Sequence, residues 1–186
     1  MDARRLGALL RTAQPLYIVV ELVIAATVPG PYSRVGDTIS ELGVAAVSPG
    51  HAVMNGAFVL FGTTLAVGAL LSDLGRTTTV LWVIAGLSSI ATGLAPLNSA
   101  PVAHLVVSAP VFLAQPVALL LTGTTRRSRT ATGLGVVSIV ASLLFLGGLA
   151  PGASGLVERL ALWPGYVVVG VLGVRTLASA SAVRAG

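Results

Sequence analysis

Six long apolar stretches, separated by shorter segments rich in glycine, proline or arginine, constrain this chain more than any other feature. A helix needs about 20 apolar residues to cross the roughly 30 Å hydrocarbon core of a membrane. Backbone groups in hydrocarbon must also bond to one another, which favours helices over open strands. We therefore predict an all-α integral membrane protein, a six-transmembrane-helix bundle that forms a single domain over residues 1–186. The predicted spans cover residues 13–28, 51–71, 80–97, 102–122, 132–149 and 157–176.

Composition excludes most soluble classes of protein. Charged residues make up 9% of the 186 residues, whereas soluble domains carry about 25%. Such a chain is too apolar for a soluble enzyme of this size, a coiled coil or a disordered protein. It also has no cysteine, which excludes disulfides, thiolate metal sites and cysteine nucleophiles.

The arginines predict how the bundle is oriented. All eleven basic residues are arginines, and only Arg34 and Arg159 lie on the side of the bundle opposite the termini. Basic residues concentrate on the cytoplasmic side of membrane proteins. We therefore predict cytoplasmic N- and C-termini and a multi-pass protein of the cell (inner) membrane. The net charge of +5 then reflects topology, and we expect no nucleic-acid partner.

The longest connection, residues 29–50, joins the first two spans on the predicted outer side. Loops of this length in a compact bundle are often functional. Residues 38–44 are suited to a short helix, with Asp37 as its N-cap and Glu41 reaching back in a variant of the capping box.

Polar side chains within the spans gather towards the end of the bundle that carries this loop. Their spacing places them on shared helix faces, which should pack against one another because unpaired polar groups are costly in lipid. For the serines and threonines we expect only interhelical hydrogen bonds, whereas for the intramembrane carboxylate of Glu21 we favour a functional role. The faces comprise Gln14, Tyr17 and Glu21; His51, Asn55 and Phe58; His104, Ser108 and Gln115; and Arg159, Trp163 and Tyr166.

This set of residues is suited to general acid catalysis. A carboxylic acid in an apolar pocket tends to keep its proton and can donate it to a substrate. The candidate catalytic residues are Asp37, Glu41, Glu21 and His104. The candidate substrate-binding residues are Tyr17, Asn55, Phe58, Asn98, Phe112, Arg159, Trp163 and Tyr166.

Two other chemistries stay open. His51 and His104 could share a metal ion with Asp37 or Glu41, although their spacing matches no metal-binding motif. Ser40, His104 and Asp37 could form a nucleophilic triad. Acid catalysis is the simplest of the three, and we expect neither a metal nor a cofactor.

The loop also carries a resemblance to a known family. The D-x-x-S-E-L-G motif at residues 37–43, followed by Asn55 and Gly62, resembles small bacterial polytopic membrane proteins of unknown function. The similarity covers nearly the whole chain. It includes residues 93–98, His104, Ala109, Phe112, Glu158 and Arg159. Relatives often have two histidines where this chain has only His104, a departure that weakens a metal or two-histidine mechanism.

In architecture and composition, the chain is also similar to bacterial integral-membrane terpene cyclases. That resemblance implies a buried carboxylic acid that protonates an alkene or epoxide, and aromatic side chains that shelter the carbocation. Aromatic residues make up 5% of this chain, which is few for that task.

We therefore favour an integral-membrane enzyme that acts on a lipid-soluble substrate, most specifically by acid-catalysed cyclisation of an isoprenoid. The first alternative is a non-catalytic lipid-binding or membrane-assembly protein. The second is a small proton-coupled transporter that uses Glu21. The expected partners are the membrane and a lipid or other hydrophobic small molecule, and the sequence leaves a homo-oligomer open.

Overall fold

Seven α-helices and two short 3-10 turns form the part of the chain that the computed structural model describes, residues 2–185, with side chains described for residues 2–180. No strand occurs within that part. The helices are α1 (Ala3–Thr12), α2 (Leu16–Ala26), α3 (His51–Leu70), α4 (Arg76–Leu94), α5 (Pro101–Thr125), α6 (Arg129–Leu146) and α7 (Ser154–Ala185).

The prediction of six spans is confirmed within this part of the chain. Six helical segments are long and apolar enough to cross a membrane, and α1 and α2 together form the first of them, Ala3–Ala26. This span begins well before residue 13, the predicted start, because Arg4, Arg5 and Arg11 lower the hydropathy of α1 and hide it from a search for apolar residues. The break between α1 and α2 falls at Pro15, which has no backbone N–H to continue a helix.

The helices pack in a ring. Each span contacts the next along the chain, α1 packs against both α3 and α7, and α7 also reaches across to α5. Large apolar side chains such as Leu60, Leu113 and Val140 are exposed on the outside, while glutamine, serine, threonine and ionisable side chains are buried inside. This arrangement suits a lipid environment, in which apolar side chains face the acyl chains and polar ones must find partners within the bundle.

The two ends of the bundle differ in character. We call the end formed by residues 27–50, 95–100 and 147–153 the loop end. The opposite end, formed by residues 2–5, 71–75, 126–128 and 175–180, is the arginine end. The fold itself does not distinguish the two sides of a membrane, so the cytoplasmic location of the arginine end stays a prediction.

Buried serines join the helices where prolines interrupt them. Pro164 has no N–H to donate to the carbonyl of Leu160 one turn earlier, and the hydroxyl of Ser138 donates to that carbonyl instead, at 3.1 Å. Beside Pro110 of α5, the hydroxyl of Ser88 from α4 accepts the N–H of Val111 at 3.0 Å and donates to the carbonyl of Val107 at 2.5 Å. These serines therefore form the interhelical hydrogen bonds expected from the sequence.

Within the loop, the predicted short helix is a single 3-10 turn, Ser40–Gly43. Its capping box is formed by Thr38 rather than Asp37. The carboxylate of Glu41 accepts the Thr38 N–H at 2.6 Å, and the Thr38 hydroxyl accepts the Glu41 N–H at 3.3 Å. The prediction of Asp37 as the N-cap is wrong because the Asp37 carboxylate accepts the N–H of Ser33 at 2.6 Å and closes the preceding turn.

The predicted orientation can be tested by cysteine labelling, because the chain has no native cysteine. Ala46 at the loop end and Thr125 at the arginine end are exposed. We expect a membrane-impermeant maleimide to label A46C in intact cells and T125C only after permeabilisation. The reverse pattern would show that the termini lie outside.

Candidate functional site

The centre of the loop end is a buried ion pair between α2 and α7. Glu21 is fully buried, and its Oε1 accepts from Nη2 and Nε of Arg159 at 2.8 and 3.1 Å. Its other oxygen, Oε2, accepts the indole N–H of Trp163 at 2.9 Å. Because both carboxylate oxygens are engaged by donors, the arrangement favours the ionised form of Glu21.

The remaining N–H groups of Arg159 hold the long loop. Nη1 donates to the carbonyls of Arg34 at 2.8 Å, Asp37 at 3.0 Å and Gly155 at 2.9 Å. Nη2 also donates to the hydroxyl of Tyr32 at 2.7 Å. Arg159 therefore joins α2, the loop and its own helix, and this explains why the loop lies over the bundle.

Tyr32 transmits this contact to the next turn of the loop. Its hydroxyl accepts from Arg159 and donates to the carbonyl of Thr38 at 2.9 Å. Partial burial raises the pKa of Tyr32 to about 12, although the charge of Arg159 acts in the opposite direction. The phenol is therefore neutral at physiological pH and able to donate and accept at once.

Glu158, the residue before Arg159, binds a different part of the loop. Its Oε2 accepts the N–H of Ile39 at 2.5 Å, and its side chain is buried. The first N–H groups of α7 are also satisfied by the loop, since Leu156 donates to the carbonyl of Val35 at 3.0 Å. Together these bonds fix the position of the residue that follows Ile39, which is Ser40.

Ser40 lies against His104 of α5. The hydroxyl oxygen of Ser40 is 3.0 Å from His104 Nε2, and His104 Nδ1 is 2.8 Å from the carbonyl oxygen of Ala95. A carbonyl can only accept a hydrogen bond, so Nδ1 carries the proton and Nε2 is free to accept from Ser40. This is the geometry of a hydroxyl paired with a general base that a third group orients.

A small cavity of about 20 Å³ borders Ser40, whereas His104 does not line it. Its volume is sufficient for about one water molecule. Glu158 and the aromatic rings of Phe58, Phe112 and Tyr166 line it together with Ser40. The cavity therefore brings a hydroxyl, a carboxyl group and three aromatic side chains to one place beneath the loop.

The structure brings most of the residues predicted from the sequence to the loop end, but in different roles. Tyr17 packs against Phe58, Phe61 and Tyr166, with ring centroids 4.7–5.9 Å apart. Asn55 Nδ2 donates to the carbonyl of Gly43 at 2.9 Å and so anchors the loop.

Four more predicted residues lie away from the cavity lining. Asp37 and Glu41 stabilise turns of the loop, as described above. Trp163 binds Glu21, and Asn98 is exposed in the turn between α4 and α5.

His51, one of the two histidines in the open metal hypothesis, bonds locally to the carbonyl of Ser48 at 3.1 Å. Among residues 2–180, no three histidine, aspartate or glutamate side chains are grouped closely enough to hold a metal ion.

Two residues at the centre of this site, Ser40 and Glu158, are not among the candidate site residues predicted from the sequence. In the sequence, Ser40 belongs to the D-x-x-S-E-L-G motif and to the alternative nucleophilic triad, and Glu158 belongs to the segments that carry the family resemblance. Ser40 and His104 are 64 residues apart, and no local spacing indicates that such distant residues meet.

Comparison with known proteins identifies the family but no activity. The family described as "Protein of unknown function (DUF998)" matches residues 12–175, so the chain belongs to it. No curated protein and no solved structure matches the chain. The expected membership of an unknown-function family is thereby confirmed.

The ion pair predicts a large effect of single neutral substitutions. Removing one partner of a buried pair leaves an uncompensated charge, which typically costs about 3–5 kcal/mol. We expect R159Q and E21Q to lower the melting temperature of the purified protein strongly.

The matched control is R34Q, because the side chain of Arg34 is exposed and only its backbone carbonyl contacts Arg159. Its effect should stay within about 0.5 kcal/mol, as is usual for surface positions. A melting temperature of R159Q equal to that of R34Q would contradict this account of the loop.

Proposed function

We propose that this member of the DUF998 family is an integral-membrane enzyme that acts on a lipid-soluble ester, with Ser40 as nucleophile and His104 as general base. The observation that supports it is the Ser40–His104 hydrogen bond, in which the Ala95 carbonyl selects the histidine tautomer that a base requires. The outer surface of the bundle is apolar and faces lipid. We therefore assign a substrate that is dissolved in the membrane.

The chemistry is acyl transfer. The Ser40 oxygen attacks the ester carbonyl while its proton passes to His104 Nε2, and the tetrahedral intermediate then expels the alcohol, which takes that proton. Water from the membrane surface next attacks the acyl-serine, again giving its proton to His104. The acid leaves, and the serine hydroxyl regains its proton.

Substrate entry requires side chains that line the cavity, such as Phe58 and Phe112, to rotate, because a cavity of about 20 Å³ does not hold an ester group. The 3-10 turn Ser40–Gly43 is packed tightly, since a side chain at Gly43 would place its Cβ 2.5 Å from Asn55 Oδ1. The contacts of Arg159 lie earlier in the loop, at Tyr32, Arg34 and Asp37. Glu158 and Asn55 hold the two ends of the turn, at Ile39 and Gly43, so the turn stays in place and the lining side chains move.

A second candidate is the acid-catalysed cyclisation of an isoprenoid, which the sequence analysis favoured. The observation in its favour is that Glu158 lines the cavity with Phe58, Phe112 and Tyr166. In this version Glu158, rather than Glu21, Asp37 or Glu41, gives a proton to an alkene or epoxide. Ring closure follows, and the carbocation returns a proton to the carboxylate while the aromatic faces stabilise the charge.

Ser40 and His104 can be tested with a serine-directed reagent. We expect a long-chain alkyl fluorophosphonate to label the wild type in detergent, S40A not at all, and H104Q far more slowly. Hydrolysis of a long-chain nitrophenyl ester should fall by about 10³-fold or more in both variants, because a nucleophile and its base act as one unit.

S99A is the matched control, since Ser99 is exposed at the same end and its hydroxyl is bonded to a carbonyl. It should be labelled as the wild type is. Equal labelling of S40A and the wild type would contradict the proposal. A loss of thermal stability in S40A and H104Q, with no labelling of the wild type, would favour the non-catalytic alternative.

The second candidate predicts a different outcome. Membranes that contain the wild type and are fed epoxidised isoprenoids should yield a product of unchanged mass by mass spectrometry. E158Q should abolish it because an amide cannot donate the proton, whereas E41Q should retain it because Glu41 binds Thr38 and does not line the cavity. The absence of any product from the folded wild type would exclude cyclisation of these substrates.

A further inference from the structure

A cavity of about 750 Å³ lies at the arginine end, at the opposite side of the bundle from Ser40. Arg4 and Arg5 of α1, Arg126 after α5 and Arg175 of α7 line it. Basic residues tend to lie on the cytoplasmic side of a membrane, and this tendency explains why all four arginines lie at the same end of the bundle. It does not explain why arginines from three separate segments border one cavity.

Acidic side chains balance these four arginines only in part, and Arg126 Nη2 contacts the backbone carbonyl of Asp73 at 3.2 Å rather than a carboxylate. Within residues 2–180, the one ion pair is that between Glu21 and Arg159 at the other end. Asp2 also borders the cavity, but its Oδ1 accepts the backbone N–H of Arg5 at 2.7 Å and caps α1. The cavity therefore has an excess of positive charge, which attracts an anion.

A fifth arginine is buried behind the cavity. Arg11 is 4% exposed and donates only to neutral acceptors, the carbonyl of Gly7 at 3.2 Å and the hydroxyl of Thr176 at 3.5 Å. Thr176 itself borders the cavity, and the charges of Arg4 and Arg126 act on Arg11 unfavourably. A buried cation surrounded by like charges is costly, and an anion in the cavity would reduce that cost.

The cavity also holds donors that suit a phosphate. The N-terminus of α6, capped by Ser128, opens onto it, and this end of a helix carries partial positive charge. Thr130, whose side chain carries a hydroxyl, lines it as well. Arginine forks and hydroxyls are the groups that recognise phosphate oxygens in proteins.

One wall of the cavity is apolar and reaches the outer surface of the bundle. Leu134 of α6 and Val168 and Leu172 of α7 form part of it. Val167 and Val171, which also line it, are 42% and 44% exposed among the side chains that would face lipid. A free phosphate ion would contact only the arginines. An amphiphile would contact the arginines with its head group and the apolar wall with its chains.

We propose that this cavity binds the phosphate head group of an anionic membrane lipid, with the first part of its acyl chains along α6 and α7. The arginines and the α6 N-terminus contact the phosphate, and the valine and leucine wall contacts the chains. This inference does not depend on the Ser40–His104 proposal, because it concerns a different cavity with different residues.

The test compares two double variants, each of which loses two positive charges at the arginine end. R126Q/R175Q removes two arginines that line the cavity, and R127Q/R129Q removes two neighbours that do not line it. Each purified protein is titrated with phosphatidylglycerol in a neutral detergent, and the lipid-bound fraction is measured by native mass spectrometry. Because charge-assisted hydrogen bonds are lost, we expect binding about tenfold or more weaker in R126Q/R175Q and nearly unchanged in R127Q/R129Q.

Thermal melting in nanodiscs provides the second readout. Phosphatidylglycerol, compared with phosphatidylcholine alone, should stabilise the wild type and R127Q/R129Q but not R126Q/R175Q. Equal responses of the two double variants would overturn the proposal, since they would show attraction to net charge alone. Equal stabilisation of the wild type by inorganic phosphate would also overturn it, because the ligand would then be a free anion.

Discussion

The guanidinium of Arg159 determines the structure of the loop end. Burial of Ile39 and Leu42 holds part of the long loop on the bundle, but the backbone polar groups of the loop also need hydrogen-bond partners there. Arg159 supplies such partners by donating hydrogen bonds to two loop carbonyls and to Tyr32, and it also donates to Gly155 of its own helix and to Glu21. Lysine, with one nitrogen, could not form this planar set of contacts. The negative charge of Glu21 lowers the free-energy cost of burying the guanidinium in the bundle. The position of the loop therefore depends on this ion pair.

Two adjacent residues of α7, Glu158 and Arg159, contact different parts of the loop end. Successive helix positions point about 100° apart, so Arg159 faces α2 and the loop while Glu158 faces the cavity beside Ser40. The two buried carboxyl groups consequently differ. Glu21 accepts three hydrogen bonds from side chains, two of them from a cation, whereas Glu158 accepts the N–H of Ile39. Such a difference in environment is how proteins give two carboxyl groups separate roles.

The sequence predicts the parts of this structure that depend on local pattern. Hydropathy is a local property, and it reveals the spans, while helical spacing indicates that Glu21 and Arg159 face inward near one end. Hydropathy fails for α1, because Arg4, Arg5 and Arg11 lower the mean hydropathy of this helix. The contact between Ser40 and His104 depends on how the loop crosses the bundle, which no local spacing encodes. The arginine cavity is likewise not predictable from local pattern. A count of arginines on each side of the bundle predicts orientation, but it does not indicate that Arg126 and Arg175 line one cavity.

The length of α7 limits how the two ends can cooperate. Arg159 and Arg175 lie on the same helix, and at 1.5 Å per residue they are separated by about 24 Å along its axis. The ester bonds of a phospholipid lie close to its phosphate, so a lipid held by the arginine cavity cannot present an ester to Ser40. The bound lipid is therefore not the substrate of the proposed acyl transfer. It acts on the bundle as a whole, by neutralising charge around Arg11 and joining α1, α6 and α7, and it would stabilise the scaffold on which the loop end depends.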